Sequence, residues 1–144
     1  MIKQKPPPIG TAGHTIGARY GTALEAAEMI QAGIQFRSIA HFQRASGFTL
    51  DRIKGAIRMS EGSFARRKQS GRLSPDESER LLRLARIFEL ATSLFEGDQK
   101  GARQWLETPN PSLGDRRPLE LLQTEPGARE VEDLIGRIEH GIVT

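Results

Sequence analysis

Apolar positions along this chain recur at helical spacing in short runs, each bounded by residues that start or stop helices. A first helix is predicted over Ala23 to Ala32, capped by Thr22 and ended by Gly33. The second, from about Gln35 to Ala45, would bury Phe36, Ile39, Ala40 and Phe42 and end at Ser46-Gly47. Thr49 can cap a third with Leu50, Ile53 and Ile57 inward; Arg58-Met59 makes a short turn, and Ser60 caps a fourth that carries Phe64 inward. Ser74-Pro75-Asp76-Glu77 opens the longest helix, which runs to Phe95, because serine caps it, proline suits its first turn and the acids favour its positive end. Leu81, Leu84, Ala85, Phe88, Ala91, Leu94 and Phe95 line one face, and Leu82, Ile87 and Leu90 widen it until burial on more than one side is required.

Gly97-Asp98 breaks that spine, and a short helix from Gly101 to Leu106 follows. Pro109, Asn110 and Pro111 stop it, since proline has no amide to donate and restricts the residue before it. Leu119, Leu121 and Leu122 give a turn or two of helix; Thr124 caps a last one with Ala128, Val131, Leu134, Ile135 and Ile138 on one face, ended by Gly141. Residues 1–19 hold three consecutive prolines and glycines at 10, 13 and 17, and read as a flexible arm. The chain is therefore read as all-α, in four parts: the arm, 1–19; a helix-turn-helix domain, 20–73; a connecting helix, 74–97; and a small helical half, 98–144.

Charge sharpens this division. Residues 33–73 carry nine basic against two acidic side chains, whereas residues 98–144 carry six against nine. A basic middle suits phosphate, and an acidic end suits a protein. In a helix-turn-helix the second helix enters the major groove, its early residues reach base edges and flanking cations clamp phosphates. The candidate DNA-binding residues are thus Thr49, Arg58, Ser60, Ser63, Arg66, Arg67 and Lys68. Two positions depart from the usual motif. Lys54 stands where the first helix normally has a small residue, and Arg58 where glycine commonly opens the turn. Either a register shifted by one residue or a wider crossing would accommodate them, and a scaffold that has kept its helices and lost its operator is the other reading.

Catalytic chemistry finds no support in the pattern. The absence of cysteine removes disulfides, thiolate nucleophiles and sulfur-bound metals, and His14, His41 and His140 have no metal-ligand spacing. The run Gly10 to Gly17 glances at a phosphate-cradling loop, but no Lys-Ser or Lys-Thr follows it and no apolar strand precedes it. Glu130, Glu132 and Asp133 fall on the solvated side of the last helix, and Trp105 reads as a core anchor. The expectation is a non-enzyme without cofactor or metal. Two lysines with no apolar run behind them make a poor secretory signal, and the most apolar segment, 81–95, is too short and too charged to span a bilayer, so the expected location is the cytoplasm.

From Trp105 to Gly141 the order Trp-Leu, Pro-Asn, Leu-Gly, Pro-Leu-Glu-Leu-Leu, Thr, Gly, Val, Leu, Arg-Ile and Gly resembles the toxin-binding domain of antitoxins of the Xre, MbcA and ParS type. The Gly-Arg-Leu-Ser and leucine-rich helix before it extend the resemblance to roughly 33–141. It implies the antitoxin of a type II pair, neutralising a RES-domain, NAD-consuming toxin by covering its active cleft and binding operator DNA to repress its own operon. It further implies a homodimer or a larger hetero-oligomer with the toxin. On that reading Leu134, Arg137, Ile138, Gly141, Ile142, Val143 and Thr144 contact the toxin, with Arg137 an ion-pair donor. The alternative is a stand-alone helix-turn-helix transcriptional regulator without a toxin partner.

Overall fold

A computed structural model describes residues 12–141. Eight α-helices follow in order among them: α1 Ala23–Ala32, α2 Arg37–Ser46, α3 Leu50–Ala56, α4 Glu61–Ser70, α5 Pro75–Leu94, α6 Gln99–Glu107, α7 Pro118–Leu121 and α8 Glu125–Glu139. Short 3-10 turns cover His14–Ile16 and Pro111–Leu113. No strand occurs among the described residues, only isolated bridges between Gln35 and Arg72 and between Asn110 and Arg116. The protein is all-α. None of these helices is long and apolar enough to cross a membrane.

The starts of the helices follow from local chemistry. The side chains of Thr22, Thr49, Ser60, Ser74 and Thr124 each accept a hydrogen bond from the backbone N–H three residues on, satisfying a donor the helix would leave orphaned. At α5 the cap is reciprocal, because Glu77 also accepts from the Ser74 backbone N–H.

α5 is the centre of the molecule. Eleven of its residues, from Glu77 to Ala91, are buried, including Leu81, Leu84, Ala85, Ile87 and Phe88. Phe88 meets Phe42 of α2 edge-on at 5.6 Å between ring centroids and Phe48 at 5.9 Å. Phe42 and Phe48 stack on one another. The same apolar cluster takes in Ala102 and Leu106 of α6, Leu122, and Ala128, Val131, Leu134 and Ile135 of α8. Both halves thus share one core.

Two expectations are corrected here. The flexible arm does not extend through 12–19: Thr15 and Ile16 are buried, each 1% exposed. The cause is a long-range contact, since Glu89 of α5 accepts hydrogen bonds from the backbone N–H groups of Gly13 and Thr15 and from the Thr15 hydroxyl. Residues 1–11 of that expected arm lie outside the described residues. α2 begins at Arg37 rather than Gln35, because Gln35 bridges Arg72 and the Phe36 N–H donates to the Gly71 carbonyl; Ala40 faces solvent.

Candidate nucleic-acid and partner interfaces

α3 and α4 are joined by a turn whose geometry accounts for both departures from the usual motif. The Arg58 N–H donates to the Gly55 carbonyl and the Met59 N–H to the Lys54 carbonyl, the paired bonds that close a helix on a left-handed residue. Arg58 is that residue, with φ 56. Glycine would sit there without strain; an L side chain costs about 1–2 kcal/mol. Lys54 is accommodated by its own side-chain contacts. Its side chain lies against α4, 8% exposed, with Nζ 2.6 Å from Glu61 and 4.5 Å above the Phe64 ring. The ammonium therefore ties the two helices together where a small residue normally lets them touch. Phe64 in turn packs edge-on against Phe36, 5.0 Å away, fixing α4 on the segment that leads into α2.

The predicted DNA-binding residues separate into two groups. Arg58, Arg66 and Lys68 are exposed and available to an external phosphate. Ser63, half-buried, accepts from its own cap residue Ser60 and from Arg66 Nη2 at 3.0 Å, which holds that guanidinium against the helix start. Thr49 and Ser60 spend their hydroxyls as caps. Arg67 is not a free cation: its Nε donates to Glu77 at 2.7 Å, across to the start of α5. Burial pushes the Glu77 carboxyl up, but hydrogen bonds from the Ser74 backbone and from Arg67 outweigh it and hold the group below the ordinary carboxylate range. Sequence reasoning missed Gly62, Ala65 and Gln69, which share the exposed side of α4 with Arg66; their spacing along the helix was the available signal.

The C-terminal half is fixed to α5 by charge as well as packing. Arg83, 7% exposed, donates to the Leu122 carbonyl, to Glu125 and to Glu79, and Arg86 donates to Glu132. Gly127 allows α8 to start hard against α7, since a Cβ there would lie 2.1 Å from the Leu121 carbonyl oxygen. Of the predicted partner-binding residues, Leu134 is corrected: it is 3% exposed and faces the shared core with Val131, so it supports α8 from beneath and offers no surface. Arg137 and Ile138 are half-buried and Gly141 is exposed. Ile142, Val143 and Thr144 lie outside the described residues. Among the described residues Arg137 Nε has no hydrogen-bond partner although it is shielded from solvent. It borders an open depression formed with Glu132, Asp133, Gly136 and His140.

Two family models match this arrangement piece by piece. An antitoxin Xre-like helix-turn-helix domain matches residues 25–86, and the antitoxin Xre/MbcA/ParS C-terminal toxin-binding domain matches residues 90–141. The chain belongs to the Xre/MbcA/ParS antitoxin family. The first model ends within α5 and the second begins there, so the helix that the two halves share is also where the family's two domains meet. Among similar proteins is one named Antitoxin Xre from Yersinia enterocolitica, 52% identical over 77 residues that cover 54% of this chain and 52% of the relative. A second of that name, from Photorhabdus laumondii, is 46% identical over 83 residues, 57% of this chain and 56% of the relative. A third, from Pseudomonas putida, is 35% identical over 69 residues, 48% and 43% of the two chains. The chain spans about half the length of these relatives.

Proposed function

We propose that this protein is the antitoxin of a type II toxin–antitoxin pair, that its C-terminal half occludes the active cleft of a RES-domain, NAD-consuming toxin, and that its basic helix-turn-helix binds the operator of their shared operon. The observation that carries the reading is the match of residues 90–141 to the family's toxin-binding domain. Chemistry at the end of α8 supports it. A shielded guanidinium nitrogen without a partner among the described residues is costly unless something else satisfies it, and an acidic group of a bound toxin placed beside Arg137 would do so. Ile138, half-buried, supplies apolar surface beside such a pair.

On the DNA side, Arg58, Arg66 and Lys68 would hold backbone phosphates while the outward residues of α4 meet base edges. Operator recognition by this motif calls for a dimer, because two recognition helices must be presented about one helical turn of DNA apart. Such work belongs in the cytoplasm, where both the operon and NAD are found.

Co-expression with the adjacent toxin-sized gene product tests the proposal. The two proteins are expected to co-purify, and deleting Ile142 to Thr144 is expected to weaken protection of growing cells while leaving the unfolding midpoint unchanged. An empty pull-down in low-salt buffer would refute the antitoxin reading, and full protection by the truncated chain would refute the role of the tail.

A further inference from the structure

A cavity of about 450 Å³ opens between the folded N-terminal segment, the end of α1 and the start of α2, on residues that the proposed toxin and operator contacts do not use. Three exposed arginines, Arg37, Arg44 and Arg72, line it, and no acidic residue does. Arg37, His41 and Arg44 recur at four- and three-residue spacing and so share one face of α2. Arg72 is held in place from the far wall, its Nη1 donating to the Gly33 carbonyl at 2.7 Å. Neither Arg37 nor Arg44 has an ion-pair partner among the described residues. Ser38, in the first turn of α2, also lines the cavity. Its backbone is buried, the residue being 5% exposed overall.

We infer that this cavity binds the phosphate group of a small phosphorylated molecule. Unpaired like charges gathered around a concavity repel one another and are stabilised by an anion that they share. A phosphate offers enough acceptor oxygens for several guanidiniums and a hydroxyl at once, whereas a lone carboxylate satisfies one fork. The start of α2 adds the positive end of its helix, with no acidic residue in its first turn. Met29 and Ile34 give the cavity an apolar wall, and its volume falls within the roughly 300–1,000 Å³ range of small-molecule sites. A mononucleotide fits that description, phosphate on the arginines and base on the apolar side.

The site is built rather than incidental. Its rim at Ile16 to Ala18 is held by the Glu89 hydrogen bonds to Gly13 and Thr15, and His41 Nδ1 donates to the Thr15 carbonyl at 2.9 Å. Residues 1–11 carry Lys3 and Lys5 and no acid, so their charge does not complement it. Arg58, Arg66 and Lys68 do not line it, which separates it from the proposed operator face.

Titration calorimetry of the full chain with inorganic phosphate and with AMP, at constant ionic strength, tests the inference. AMP is expected to bind once per chain, and Arg44→Gln and Arg37→Gln are each expected to weaken it about tenfold, the loss of one charge-assisted hydrogen bond, without changing the unfolding midpoint. Ser38→Ala is expected to weaken it less. Tighter binding of AMP than of phosphate assigns a nucleotide; equal binding assigns the free ion. Absence of heat with both ligands up to about 10 mM, too weak for a specific site, would overturn the inference. So would unchanged affinity in both arginine variants, or variants that lose affinity for duplex DNA while AMP gives no heat.

Discussion

Phe88→Ala is the sharpest test of whether the two halves share one core. The ring is fully buried, packs edge-on against both Phe42 and Phe48 at 5.6 and 5.9 Å, and belongs to the apolar cluster that reaches Leu106 and Val131. Truncating such a ring costs about 3–5 kcal/mol in lost burial and residual cavity. Each edge-on aromatic pair accounts for about 0.5–1.5 kcal/mol beyond its area. Against a total stability of about 5–15 kcal/mol for a domain, that is at least about a fifth and at most all of it. With a urea dependence of about 2 kcal/mol per molar for a chain of this size, the midpoint should fall by about 2 M. Trp105, half-buried on α6 and packed on the same cluster, reports the C-terminal half by fluorescence, while far-UV circular dichroism reports all helices. Both signals are expected to move together to the same lower midpoint. If the Trp105 transition stayed in place while the helical signal shifted, the halves would be separate folding units and the assignment of α5 as a shared spine would be wrong.

Arg58→Gly should raise stability by about 0.5–1 kcal/mol, since relief of left-handed strain outweighs the added entropy of glycine, and should lower duplex-DNA affinity with a shallower salt dependence; a variant with wild-type affinity would remove Arg58 from the operator face. The Glu77 carboxyl is held below its ordinary value of 4.5, so its stabilising contribution is complete above that pH and is lost as the pH falls through the lower folded-state value. Acid titrations of stability should show this decline below about pH 4.5, and Glu77→Gln should be less stable at neutral pH with a flatter acid limb; an unchanged limb would mean that the Arg67 and Ser74 contacts contribute nothing.

Helix boundaries were legible wherever they depend on neighbours in sequence. Thr22, Thr49, Ser60, Ser74 and Thr124 cap the helices expected of them, because a cap is a bond across three residues. What escaped sequence reasoning depends on partners far along the chain. Glu89 reads locally as a charge on an apolar helix, yet it is buried because it pins Gly13 and Thr15, more than seventy positions earlier. Lys54 looked like a departure from the motif until Glu61 and the Phe64 ring supplied its partners. Arg67 belongs with a basic run by composition and with Glu77 by geometry. Leu134 shares an apolar helical face with Val131 and Ile135, and spacing alone does not say whether such a face meets the core or a partner; here it meets the core.

The same long-range contacts bear on how the two proposed interfaces relate. α3 meets the C-terminal half directly, through Gln123 Nε2, between α7 and α8, donating to the Gly55 carbonyl at 3.1 Å and through Arg52 with Glu107 at the end of α6 at 3.8 Å. These polar contacts are exposed and contribute little individually. Arg83 differs, because its buried guanidinium is satisfied by Leu122 and Glu125 together with Glu79 of its own helix. Withdrawing α8 from α5 would break the Glu125 bond and expose the buried face of Ala128, Val131, Leu134 and Ile135, at about 1.5–3 kcal/mol for each large side chain. The partner-binding half is therefore not a tethered module that swings away when occupied. If the proposed interfaces hold, a toxin seated at the end of α8 would be carried at a set distance and orientation from α4, and the spacing between the α4 helices of an operator complex would be a property of how these fused bodies pack against one another.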